Sequence, residues 1–327
     1  MPDPEAQTET KSLPAPEFAA ASQPSYARTL FLGPEGLRAG WGFAFYVAMF
    51  VPLRDVGVSL AASSHLAVLW TSLLEEFAVL TAAIIPALVL MRVEHRPWSA
   101  YGLPAQRAFG KAFWVGAVWG FAGVSVLVFA MYEFHGFNFG HVILRADRVL
   151  KFGLFWAFMF LVVGLAEEFA FRGYTVFTLT RGIQFWPAAF AMSILFGLVH
   201  LQNEGEQWTG ALAAAAIGLF FCLTLRRTGT LWFAVGFHAA WDWGESFFYS
   251  VPDSGMRSPG HLLSSSLHGP AWLTGGSVGP EGSALCFVVI ALTWAAFSWR
   301  YPRAVYPAPE AHALPATAGS SSLRSSE

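Results

Sequence analysis

The sequence has little charge and almost no cysteine. Asp, Glu, Lys and Arg make up 12% of its 327 residues, about half the share of an ordinary soluble domain. The formal net charge is -2, and no basic tract is interleaved with aromatics, which excludes a nucleic-acid partner. Cys222 and Cys286 fall in separate apolar runs, far from any CxxC pairing. They read as small apolar residues, and no disulfide is expected. The first 27 residues lack the basic and apolar regions of a signal peptide. There is no HExxH, and His135, His141, His261 and His268 show no metal-ligand spacing.

What the chain does have is apolar length. It is 55% hydrophobic and 16% aromatic, with a mean hydropathy of +0.49. Runs of about 17 to 25 mostly apolar residues, enough to span a bilayer, recur at about 39–55, 66–91, 112–132, 151–180, 184–201, 208–225, 230–250 and 284–300. The expected fold is all-α, a polytopic transmembrane bundle of about eight spans. Pro, Ala, Ser and Thr dominate both ends, so residues 1–37 and 303–327 are expected to be disordered tails. Between them lies one membrane domain, 38–302, with a motif core at about 151–250 and a Gly/Ser/Pro-rich loop near 252–282.

Lys and Arg set the orientation. With the N-terminus inside, only Arg54, Arg145, Arg148, Lys151 and Arg257 fall on the far side, and the other basic residues gather on the cytoplasmic side. Both termini are expected in the cytoplasm. The localisation this implies is an integral protein of the plasma (inner) membrane of a prokaryote.

A charged residue at the centre of a spanning helix costs roughly 2.5–3.5 kcal/mol on insertion scales. Four places break that rule: Glu75/Glu76, Glu167/Glu168 with Arg172, His200, and His238 with Asp242. The tetrapeptide EEFA occurs twice, in LLEEFAVLT from Leu73 and in LAEEFAFRGY from Leu165. In the second copy Glu168 and Arg172 stand at i and i+4 with the acid first, a neutralising arrangement, while Glu167 points about 100° away. One carboxylate is held and one is left available as a general base. The first copy has Leu80 where the second has Arg172, and its two acids are read as accessory, structural or interfacial.

Depth brings the rest together. From a turn near Arg181–Gln184, Glu167 and His200 each lie about 16 residues away, roughly 24 Å along a helix. The seventh span carries FHAAWDWGE, with His238 and Asp242 on one face. Three helices can thus gather Glu167, His200, His238 and Asp242 at one buried, wettable cavity. Each element alone has an ordinary explanation, a neutral ion pair or an interhelical hydrogen bond. Together they form a constellation able to activate water and stabilise an oxyanion.

These residues resemble the CPBP intramembrane endopeptidases, a family that includes the type II CAAX prenyl proteases and bacterial proteins linked to bacteriocin processing and self-immunity. The resemblance rests on Glu167-Glu168-Phe-Ala-Phe-Arg172, on Phe196-Gly-Leu-Val-His200 and on His238-Ala-Ala-Trp-Asp242, in that order. It implies peptide hydrolysis by a water that Glu167 deprotonates with help from His200. His238 and residue 242 would steady the oxyanion, and Glu168 with Arg172 would orient the site. Many members have Asn where this chain has Asp242, and an ionised Asp donates no hydrogen bond. Asp242 is therefore protonated, or orients His238, or has lost the role. No cofactor is expected. Zinc on Glu167, His200 and His238 is the alternative, because the family was long called metalloproteases. The expected partners are the lipid bilayer and a peptide or membrane-anchored protein substrate. Two other classes stay open: a non-catalytic scaffold or bacteriocin-immunity factor of the same fold, and an ion-coupled transporter, for which no repeat relating the two halves is visible.

Overall fold

The computed structural model describes residues 26–33 and 36–306. The tails expected over 1–25 and 307–327 lie outside the described residues. Residues 26–33 and 36–37, assigned above to the N-terminal tail, carry a short helix α1 (Tyr26–Phe31) and a two-residue antiparallel pairing of Leu32–Gly33 with Gly36–Leu37.

Each expected span is helical. In order they are α2 (Ala39–Ala62), α3 (Val68–Glu94), α4 (Lys111–Glu133), α5 (Ala146–Arg172) with α6 (Tyr174–Ile183), α7 (Phe185–His200), α8 (Trp208–Thr228) and α9 (Trp232–Asp242). A single turn, α10 (Ala271–Thr274), precedes α11 (Ala284–Arg300). Among the described residues, α2, α3, α4, the α5–α6 stretch and α8 are long and apolar enough to cross a membrane, and α7 and α11 are shorter apolar helices. The chain is an all-α integral membrane bundle. Trp114, Val118, Phe129, Leu154 and Phe158 point outward, as apolar side chains do where the surroundings are lipid.

Three expectations change in detail. The 151–180 run is not one helix, because α5 stops at Arg172 and α6 starts at Tyr174. Gly173 makes the break: a Cβ there would crowd the carbonyl oxygen of Phe169 at 2.5 Å. The seventh run also changes character, since α9 passes into a π-helix over Trp243–Phe248. Arg172, counted above among cytoplasmic charges, is fully buried within the bundle and is not a loop charge.

Helix α9 is the hub. Its residues are buried on almost every side, the pattern of a core helix rather than a surface one, and it packs on α4, α5 and α8. Lipid offers helices no hydrophobic drive to associate, so small residues that let backbones approach carry much of the packing. Gly116 and Gly120 of α4 lie directly against the carbonyls of Phe233 and Phe237, and Gly236 of α9 lies against that of Phe113. Gly164 of α5 sits under His238, where a Cβ would stand 3.6 Å from the histidine Cβ.

The two ends of the bundle differ. At one end Leu231 N donates to Gly102 O, Tyr306 N and Val305 N donate to Arg226 O, and Glu94 pairs with Arg181 at 3.5 Å. At the other, Phe137–Asn138 pairs with Ser266–Leu267, joining the α4–α5 connection to the long loop before α11.

The α4–α9 seam generates a stability test. Gly120→Ala places a methyl in the carbonyl of Phe237 and is expected to destabilise by about 1–3 kcal/mol. Gly40→Ala, where a Cβ meets nothing within 4 Å, is expected to leave the melting temperature of the detergent-solubilised protein no lower than wild type.

Candidate active site

The second EEFA copy sits in the last two turns of α5, where successive side chains are set about 100° apart. Glu168 and Arg172 point inward and are completely buried. Arg172 Nη1 donates to Glu168 Oε1 at 3.2 Å. The same oxygen accepts from Nδ1 of His238, on α9, at 2.9 Å. Glu168 is thus clamped from two sides, by an arginine one turn along its own helix and by a histidine from the hub helix.

The guanidinium is seated as carefully as the carboxylate. It lies 4.0 Å from the centroid of the Phe196 ring, and 5.8 Å from those of Phe171 and Phe221. Arg172 Nε and Nη2 have no hydrogen-bond partner, so these aromatic faces supply what stabilisation those N–H groups get. Gly218 of α8 leaves the room: a Cβ there would collide with Nη2.

With its Nδ1–H committed to Glu168, His238 turns Nε2 outward. That nitrogen is 3.6 Å from Glu167 Oε2 and 3.5 Å from Asp242 Oδ2. Phe221 stacks on the imidazole at 5.7 Å and 21°. On α7, His200 Nδ1 is 2.7 Å from the carbonyl of Phe196. A carbonyl only accepts, so Nδ1 carries the proton and, in the neutral ring, Nε2 keeps a lone pair.

Glu167, His200, His238 and Asp242 all line one cavity of about 330 Å³. Glu168 and Arg172 lie behind its wall. The break at Gly173 does not disturb the meeting of α5 with α7 that the depth argument expected. Glu167 remains the more open carboxylate, its side chain 28% exposed against none for Glu168.

Glu75 and Glu76 also line this cavity. To the readings left open for them, accessory, structural or interfacial, the structure adds a place: α3 packs on α5, which turns the first EEFA copy toward the second. Sequence reasoning missed further polar contributors, among them Ser246, Asp253 and Glu281, which line the same cavity. Glu281 accepts from Trp241 Nε1 at 3.2 Å and from Ser254 Oγ at 2.7 Å. Burial, with Asp242 and Glu281 close by, pushes Asp253 well above the ordinary carboxylate range. The only available signal was Glu245, a further acid in the seventh apolar run.

The cavity belongs to one end of the bundle. Its lining comes from the start of α3 at Val68, the end of α7 at His200, and the loop residues Ser254 to Pro259. As for metals, among the described residues three acidic or histidine side chains come within 4.8 Å of one another at Glu245, Asp253 and Glu281. The alternative zinc set, Glu167 with His200 and His238, is not gathered in that way.

Apolar helices thus enclose one open carboxylate, two histidines and a clamped ion pair at a cavity within the bundle. Residues 149–244, which contain all three motifs, match the family model described as type II CAAX prenyl endopeptidase Rce1-like. The motif core is thus similar to the type II CAAX prenyl endopeptidases over those residues. No curated protein and no solved structure matches the chain.

The clamp makes a specific stability prediction. Arg172→Met leaves Glu168 buried with half of its compensation, a loss of about 3–5 kcal/mol. The double variant Glu168→Gln/Arg172→Met removes the stranded charge and is expected to recover a substantial part of that loss in thermal unfolding.

Proposed function

We propose that this chain is a glutamate-dependent intramembrane endopeptidase in which Glu167 is the general base. The observation that carries the reading is the division of labour between adjacent acids. Glu168 is bound to Arg172 and His238, while Glu167 faces the cavity beside the two histidines.

Glu167 takes a proton from a water in the cavity, with the lone pair of His200 Nε2 helping to hold that water. The resulting hydroxide oxygen bonds to the scissile carbonyl carbon, and the carbonyl π pair moves onto oxygen. His238, when protonated at Nε2 as well as Nδ1, donates to that oxyanion. Collapse of the intermediate breaks the C–N bond, and the proton held by Glu167 passes to the leaving nitrogen. Peptide and water become acid and amine with no other reactant. The separation of 3.5 Å between Asp242 and His238 Nε2 supports Asp242 as a residue that positions His238. No metal is required in this scheme. Holding Nδ1 on a protein acceptor is an arrangement that metal-binding histidines also use, so the chelator experiment below decides between the two chemistries.

The cavity end also bears on substrate class. Arg92, Arg96, Arg107, Arg181, Arg226 and Arg303 belong to the opposite end of the bundle, and by the positive-inside rule that end is cytoplasmic. The cavity then opens outward, which favours a membrane-anchored protein or a leader-type peptide over a prenylated cytoplasmic C-terminus.

New protein N-termini in membranes of cells carrying wild type, Glu167→Gln, His200→Ala or Glu75→Ala test the chemistry. Cleavage products are expected to fall by about 10²–10⁴-fold with Glu167→Gln or His200→Ala, far less with Glu75→Ala, and not at all when isolated wild-type membranes receive 1,10-phenanthroline. Identical profiles in all four strains would sink the enzyme reading and leave the scaffold. Loss with phenanthroline, reversed by zinc, would replace the glutamate mechanism by a metal one.

Orientation has its own test. In a Cys222→Ala/Cys286→Ala background, a membrane-impermeant maleimide added to right-side-out vesicles is expected to label His268→Cys and to spare Arg303→Cys. The reverse pattern would turn the cavity to the cytoplasm and restore the prenylated substrate.

A further inference from the structure

Beyond the residues of the proposed mechanism, a second cluster that it does not use reaches from the cavity wall into the bundle. Glu245 comes from the π-helix, Asp253 from the loop that follows it and Glu281 from just before α11. One carboxylate oxygen of each lies within 4.8 Å of the other two. None of the described ion pairs involves any of the three.

Three acids together are not yet a site. The independent observation is Glu245 itself, which is 0% exposed and has no hydrogen-bond partner on either carboxylate oxygen. An ionised carboxylate stripped of water and unpaired costs several kcal/mol. Its neighbours, by contrast, are held in place. Trp241 Nε1 donates to Glu281 Oε1 at 3.2 Å, while Ser254 N and Oγ donate to Oε2 at 3.1 and 2.7 Å. Ser246 Oγ donates to Asp253 Oδ2 at 3.0 Å. Outer hydrogen bonds of this kind orient metal-ligating carboxylates. The π turn is a further sign, since such turns recur at functional positions.

The donor set is all hard oxygen. Calcium accepts six to eight oxygens at about 2.3–2.6 Å in flexible geometry, whereas magnesium demands a tight octahedron at about 2.0–2.1 Å. Carboxylates from a π turn and two loop positions suit the former, and Asp253 and Glu281 line the cavity, from which water can complete the shell.

We propose that Glu245, Asp253 and Glu281 bind a calcium-class divalent cation that fastens the 251–283 loop to the end of α9. The ion stands apart from the hydrolytic chemistry. Its role is to neutralise an acidic wall and to hold the loop that roofs the cavity.

Trp241 provides the probe, because its indole donates to one of the ligands and can pass excitation energy to a bound lanthanide. The full-length protein in detergent, stripped of divalent ions, is titrated with Tb3+ under tryptophan excitation. Saturable Tb3+ emission is expected, displaced by Ca2+ at concentrations where Mg2+ has little effect, together with a Ca2+-dependent rise in melting temperature. Glu245→Gln and Asp253→Asn are each expected to weaken Tb3+ binding by about tenfold or more. The Glu245→Gln protein without ions should melt no lower than wild type without ions, which separates loss of the site from failure to fold. Absence of both saturable emission and the Ca2+ shift in wild type would mean that protons neutralise the cluster, and the proposal falls. Emission unchanged by either variant would place the ion elsewhere and overturn it equally.

Discussion

A single oxygen, Oε1 of Glu168, organises the centre of this molecule. It accepts from an arginine on its own helix and from a histidine on the hub helix, in a place without access to water. In such surroundings charges interact strongly and a missing partner is expensive. The position of α9 against α5 is therefore set by a charged contact as well as by packing. The Phe196 ring over the guanidinium and the space left by Gly218 make the same contact possible from α7 and α8. Four helices are committed to one buried carboxylate.

The clamp explains how two adjacent glutamates acquire different tasks. A helix turns each residue about 100° from the last, so if one acid faces the hub the next faces the cavity. Backbone geometry alone separates them, and the arginine at i+4 decides which one is held. His238 links the two, with one ring nitrogen on the held acid and the other near the free one. Close approach of the backbones is the precondition. Gly164 beneath His238 and the glycines of α4 beneath α9 bring the imidazole near enough to reach.

Much of this was legible because it is local. Glu168 and Arg172, Phe196 and His200, and His238 and Asp242 are each four residues apart, and a four-residue interval on an apolar helix puts both side chains on one face. Depth was legible too, since rise per residue converts sequence distance from a turn into position along the bundle. What escaped depends on neighbours distant in sequence. The place of Glu75 and Glu76 on the cavity was hidden because nothing within their own helix announces that α3 packs on α5. The π turn that carries Glu245 continues directly from α9, and no break in the sequence marks where it begins. Asp253 and Glu281 sit in a Gly/Ser/Pro-rich loop without periodicity, and only the folded chain brings them to the cavity wall. The break at Gly173 was also hidden, because a lone glycine in an apolar run is equally at home inside a helix.

The cavity as a whole poses an electrostatic problem wider than its mechanism. Glu75, Glu76, Glu167, Asp242, Asp253 and Glu281 line it, against His200, His238 and Arg257 as the groups able to carry positive charge. Arg172, the one fully buried arginine or lysine among the described residues, is already committed to Glu168. Carboxylates this close in a partly dehydrated space cannot all ionise without compensation. At the end proposed for hydrolysis the two histidines can meet that requirement, which is also what general base chemistry needs. At the loop end Arg257 lines the cavity but forms none of the described ion pairs with Glu245, Asp253 or Glu281, and Glu245 is too deep for water. A cation there would relieve the wall without drawing on the proton that Glu167 uses, so that the acids of one cavity serve two ends, one kept for chemistry and one for holding the roof.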